Sequence, residues 1–203
     1  MSILLDETQK PPAPKVPTRR SPIKSAFGIG AIAAVVASIV VAPSVEGVLG
    51  GCLALIMAAI AIIDARHLII PNELTAASFI LGLVYVAFRG PESAMYELVD
   101  ATLRATVLAS ALLALRAFYE WLRDREGIGL GDVKLAGVAG VWLHWNMMPA
   151  SIDLAALAAL IVCGWRYVVG RRPLYATSRV PFGQFFAPAI WLCWAIDTAL
   201  PRF

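Results

Sequence analysis

The sequence predicts an all-α fold: a polytopic integral membrane bundle of about seven transmembrane helices. Three observations carry that expectation. The chain of 203 residues is 60% hydrophobic and only 15% charged, with a mean hydropathy of +0.75. A soluble domain is about half apolar and about a quarter charged. The apolar residues come in repeated long runs, and a helix needs about 20 of them to cross the hydrocarbon. The basic residues, finally, fall mostly on alternate connections. This composition excludes a disordered chain, a secreted disulfide scaffold and a nucleic-acid module that binds through net charge, since the formal charge is only +3.

The runs lie near 25–43, 47–65, 73–89, 100–118, 133–148, 151–169 and 183–200. Before them, residues 1–24 are rich in proline and charge and read as a disordered basic tail, leaving 25–203 as the membrane domain. A cleavable signal peptide is not expected, because the first run follows a long polar arm. With the N-terminus in the cytoplasm, fourteen Lys and Arg fall on the inner side, among them Arg66, Arg116, Lys134 and Arg166. Only Arg89, Arg104 and Arg202 fall outside. Inverting the chain reverses the asymmetry, so the positive-inside rule sets this orientation.

Cysteines are sparse. Cys52, Cys163 and Cys193 each sit in an apolar run without the close spacing of a zinc clamp. His67 and His144 belong to no metal-ligand motif, so neither a metal nor a cofactor is expected.

An ionisable group in or beside a span costs several kcal/mol unless it is solvated or paired. Two acids stand out. Asp64 closes the second run in AIIDARHLIIPNELT, and Asp132 opens the fifth in GIGLGDVKLAGVAG. They are 68 residues apart, yet the topology puts both at the cytoplasmic boundary. Gly127, Gly129 and Gly131 alternate before Asp132, which suits a tight backbone path. Pro71 disfavours helix at Ile70, forcing a turn there, and Asn72 is placed to cap the next helix near Glu73.

A lone acid at a helix end is more often a cap or counter-ion, and a lone GxGD is a weak signal. The glycine string is not a phosphate loop, lacking its GK[ST] ending. Two converging carboxylates suit aspartic-protease chemistry, in which one ionised member activates water and one protonated member polarises the carbonyl. The residues alone leave a transporter using the same carboxylates as a relay equally open, and a non-catalytic assembly scaffold behind both.

At these positions the sequence resembles the type IV prepilin peptidases, aspartic proteases of the GxGD class. Three blocks carry the resemblance: DARHLIIPNELT (64–75), GLGDVKL (129–135) and VPFGQFFA (180–187). It reaches from about 47 to 200 and implies leader-peptide cleavage of prepilins or prepilin-like proteins at the cytoplasmic face of the inner membrane. Asp64 and Asp132 match the family's catalytic aspartates. The implied substrate is a short basic (class III) leader followed by an apolar helix held in lipid, with no nucleic acid involved. Larger members carry a CxxC-bearing insert linked to N-methylation with S-adenosylmethionine. This chain has no CxxC, so the resemblance implies peptidase activity without methyl transfer.

Around the pair, Gly129, Gly131, Pro71, Asn72, Pro181 and Gly183 read as residues that shape the site. Lys134 is equally suited to stabilising ionised Asp132 or to reaching lipid phosphate. Arg66 reads as a topogenic charge. Asp153 and Asp197 fall on the outer side and are excluded from the pair. Nothing in the sequence sets an oligomeric state.

Overall fold

A computed structural model describes residues 22–89, 93–124, 127–170 and 181–200. Among them are seven helices and no strand: α1 (Pro22–Val41), α2 (Val45–His67), α3 (Asn72–Arg89), α4 (Ala94–Arg123), α5 (Leu130–Trp142), α6 (Met147–Gly170) and α7 (Gly183–Ala199). The protein is an all-helical membrane bundle. The expected tail lies outside the described residues except for its last three, 22–24, which already belong to α1. Arg125, Glu126, Arg171, Arg172, Arg179, Val180 and Arg202 also lie outside them.

Large apolar side chains remain exposed on the bundle's flanks, including Ile32 and Val40 on α1, Leu115 on α4 and Leu160, Ile161 and Val168 on α6. Exposure on that scale is stable only against lipid or a partner. Among the described residues three helices are long and apolar enough to cross a bilayer: Val45–His67, Ala94–Arg123 and Met147–Arg166. At 1.5 Å per residue, α2 is about 34 Å long, enough for a hydrocarbon core of about 30 Å.

The fifth element departs from expectation. The run at 133–148 predicts a span, whereas α5 covers only Leu130–Trp142. Leu143 turns to extended backbone and the His144 carbonyl opens the next helix by accepting the Met147 and Met148 N–H groups. Thirteen residues reach only about 20 Å, so α5 does not cross alone. Its residues from Leu135 to Trp142 are buried on every side, because α5 is an inner element, packed against α3, α4, α6 and α7.

Close approach makes that possible. A methyl on Gly140 would meet the backbone of α4, 2.4 Å from Ala105 Cα. At the same crossing Arg104, only 4% exposed, donates from Nε to the Gly140 carbonyl at 3.1 Å and pairs with Asp100. Trp145 Nε1 donates to the other oxygen of Asp100 at 3.2 Å. Arg104 is therefore a buried cross-link between α4 and α5, a role that counting it among the outer-side charges does not show. Nearby, Trp142 stacks on Tyr85 at 4.9 Å, meets Trp194 edge-on and donates to the Ser78 carbonyl, tying α3, α5 and α7 together.

Gly140→Ala is expected to destabilise the bundle by about 1–3 kcal/mol, because the added methyl meets backbone that cannot yield without moving a helix. Thermal unfolding in detergent checks this. An unchanged midpoint would mean that α4 and α5 are not in such contact.

Candidate active site

Asp64 lies in the last turn of α2. That helix ends at Leu68, whose left-handed backbone (φ 55°) directs its N–H to the Asp64 carbonyl. The Asp64 side chain is only 5% exposed, so its carboxylate needs partners from within the protein. It finds them at the start of α7: Oδ2 accepts the Gln184 N–H at 2.9 Å, with the Gly183 N–H beside it. The N-cap residue of α7, Phe182, makes no side-chain capping bond. Asp64 thus caps α7 from another helix, placing a negative charge at the positive end of its dipole.

Asp132 occupies the matching place on α5. It is the third helical residue, half-buried, and its N–H bonds the Gly129 carbonyl at 3.1 Å. Its carboxylate folds back over Gly129, where an added Cβ would stand 3.2 Å from Oδ2. This is the acidic half of a capping box, the N3 carboxylate returning to an N-cap that has no side chain of its own. The charge on Asp64 acts on Asp132, so the two acids from distant segments share one electrostatic environment. Two helix N-termini and one helix C-terminus converge around them.

The remaining residues singled out in the sequence divide. Gly131 and Gly183 both border Ile70 of the α2–α3 connection, where side chains in their place would clash. Pro71 accepts the Thr75 N–H and hydroxyl through its carbonyl and so starts α3. Asn72, expected to be the cap, is instead the first helical residue, and its Oδ1 accepts from Lys134 Nζ at 2.7 Å. Lys134 therefore ties α5 to α3, a partner that neither reading of its sequence position included. Pro181 is half-buried just before α7, and Arg66 is exposed at the end of α2. At the opposite end of α7, Asp197 meets His144 at 2.6 Å, far along the helix from Asp64. Among the described residues no group of three or more His, Cys, Asp or Glu could hold a metal ion.

Two participants were not visible as chemistry in the sequence. The Gln184 contribution is a backbone N–H, which residue identity does not encode. Ile70 reads as an ordinary apolar residue until its two glycine neighbours are seen.

The family model for the type IV leader peptidase family matches residues 51–164, more than half of the chain. This chain belongs to that family. It is 33% identical over 129 residues to leader peptidase HopD of Escherichia coli, covering 62% of this chain and 78% of that protein. It is also 27% identical over 134 residues to a prepilin leader peptidase/N-methyltransferase of Stutzerimonas stutzeri, and 28% identical over 134 residues to one of Pseudomonas aeruginosa. Each of those two alignments covers 66% of this chain and 44% of the relative, so the chain spans less than half the length of these bifunctional proteins. No solved structure matches the chain. The matched region includes Asp64, Pro71, Asn72, Gly129, Gly131, Asp132 and Lys134, and ends before Pro181 and Gly183.

Because Lys134 and Asn72 meet at an exposed position, their bond is expected to contribute only about 0.5 kcal/mol. A double-mutant cycle of Lys134→Met and Asn72→Ala, read by thermal unfolding, should return a coupling of that size. Strict additivity would show that the two side chains do not interact.

Proposed function

We propose that this protein is an aspartic endopeptidase that removes the leader peptide of prepilins or prepilin-like proteins at the cytoplasmic face of the inner membrane, with Asp64 and Asp132 as its catalytic pair. The observation that carries this reading is the convergence of the two acids at one end of the bundle, each at a helix N-terminus, with the charge of Asp64 felt at Asp132. Family membership and the printed names of the relatives supply the substrate class.

The chemistry follows from the pair. Two carboxylates in one poorly solvated environment do not both ionise cheaply, so they share a proton. The ionised member removes a proton from a water molecule, whose oxygen attacks the scissile carbonyl carbon. The protonated member donates a hydrogen bond to the carbonyl oxygen. As the tetrahedral intermediate collapses, the C–N bond breaks and a proton passes to the departing amine. Neither a covalent intermediate nor a metal is needed. Helix N-termini next to the acids favour negative charge at the site during the step.

The bundle suits a substrate whose cleavage point lies where lipid meets water. The acids sit at helix ends, so an apolar segment stays in the bilayer while its polar end reaches them. The charge asymmetry of the connections supports the cytoplasmic side. The connection between α1 and α2 is only residues 42–44, and the chain holds no CxxC, which supports peptidase activity without methyl transfer.

Incubation of the purified protein with a prepilin, with mass spectrometry of the new N-terminus, tests the proposal. Asp64→Asn and Asp132→Asn should each lower cleavage by roughly 10²–10⁴-fold while the protein still inserts. Normal processing by both variants would refute the pair. Chelators should leave the wild-type rate unchanged; activity lost to a chelator and restored by zinc would count against water activation by carboxylates alone.

A further inference from the structure

Three segments distant in sequence meet near Asp64 through a single side chain. Ile70 lies in the connection between α2 and α3. A Cβ on Gly131 would stand 2.9 Å from Ile70 Cβ and 3.1 Å from its Cδ1, and one on Gly183 would stand 2.7 Å from the same Cδ1. The branched side chain therefore lies directly against two bare backbones. Gly131 immediately precedes Asp132, and Gly183 immediately precedes Gln184, whose N–H holds Asp64.

Ile70 is itself tightly constrained. Leu68, two residues earlier, is fixed in the left-handed region by its bond to the Asp64 carbonyl, and Pro71 restricts Ile70 to extended backbone. β-Branching further limits its side chain to few rotamers. Its neighbours Leu68 and Ile69 are exposed, so this connection is not an ordinary piece of the core. A residue that only filled space would rest on side chains able to rearrange. Ile70 packs against the core and, in addition, rests on two glycine backbones that cannot.

We propose that Ile70 is a positioning residue for the carboxylate pair, a wedge between the starts of α5 and α7 that sets how Asp132 stands relative to Asp64; this rests on reading the site as an aspartic peptidase. Removing the wedge frees the two helix N-termini to shift against α2, and the water between the acids loses its alignment. Substrate held mainly by its apolar segment in lipid keeps its affinity. The defect belongs to turnover.

The test uses the full chain in detergent or proteoliposomes with a prepilin substrate. Ile70→Ala should lower kcat by ~10–100-fold, the scale of an ångström-sized misplacement, with KM changed less than about threefold. Gly183→Ala should lower kcat at least as much, since its methyl would stand 2.7 Å from Ile70 Cδ1 and 3.0 Å from Asp64 Oδ2. Ile70→Val deletes that carbon but leaves the contact with Asp64, so the double variant Ile70→Val/Gly183→Ala should regain part of the unfolding temperature that Gly183→Ala loses while its kcat stays low. Wild-type kcat in Ile70→Ala would overturn the proposal, as would a double variant with an unfolding temperature no higher than that of Gly183→Ala. If the wild-type chain cleaves no prepilin, the functional reading falls by itself. Unfolding temperatures of the same variants then decide the wedge, with recovery supporting it and its lack overturning it.

Discussion

A carboxylate withdrawn from water at the end of a membrane bundle must be given hydrogen-bond donors, and here the donors are the free N–H groups at helix starts. Asp64 receives one from Gln184 at the head of α7, and Asp132 folds back over the head of its own helix. Each arrangement serves two ends. The acid satisfies orphan backbone groups that would otherwise be buried unpaired, and the helix dipole offsets the charge the acid carries. Without these ends the acids would be costly intrusions in an apolar protein. With them the same acids become structural caps, and the charge of Asp64 reaches Asp132.

The caps hold only if the helix starts themselves converge, and α5 governs that. It is too short to be an independent span and is buried on all faces from Leu135 to Trp142, so its position is decided by its neighbours. Gly140 lets it sit on the backbone of α4, Arg104 pins that crossing from α4, and Trp142 locks it to α3 and α7. From there its first turn carries Asp132 to the end where α2 finishes. The polar network around Arg104 and Asp100, and the contact of His144 with Asp197, belong to the far half of the bundle and act on the fold rather than on the acids.

The helical class and the approximate place of each helix were legible because long apolar runs have one economical solution in a bilayer. The acids were legible for the converse reason, being expensive where they stood. The limits of the reading are equally physical. Hydropathy does not separate an apolar helix that faces lipid from one that faces protein, so the run at 133–148 passed for a span although the chain turns at Leu143. Charge counting placed Arg104 on the outer side but not its partner, since it registers a side chain's sign and not the carbonyl that receives it. Lys134 was set between Asp132 and lipid, and its actual partner, Asn72, lies 62 residues away.

By itself the sequence determined the class of fold, the two acids and the glycines beside them, because composition, run length and local spacing are properties of the chain. The tertiary structure alone decided that Gln184 donates to Asp64, that Ile70 fits between Gly131 and Gly183, and that α5 lies inside the bundle. These are contacts between segments remote in sequence, made by backbone atoms or by the shape of one side chain. No residue type announces them.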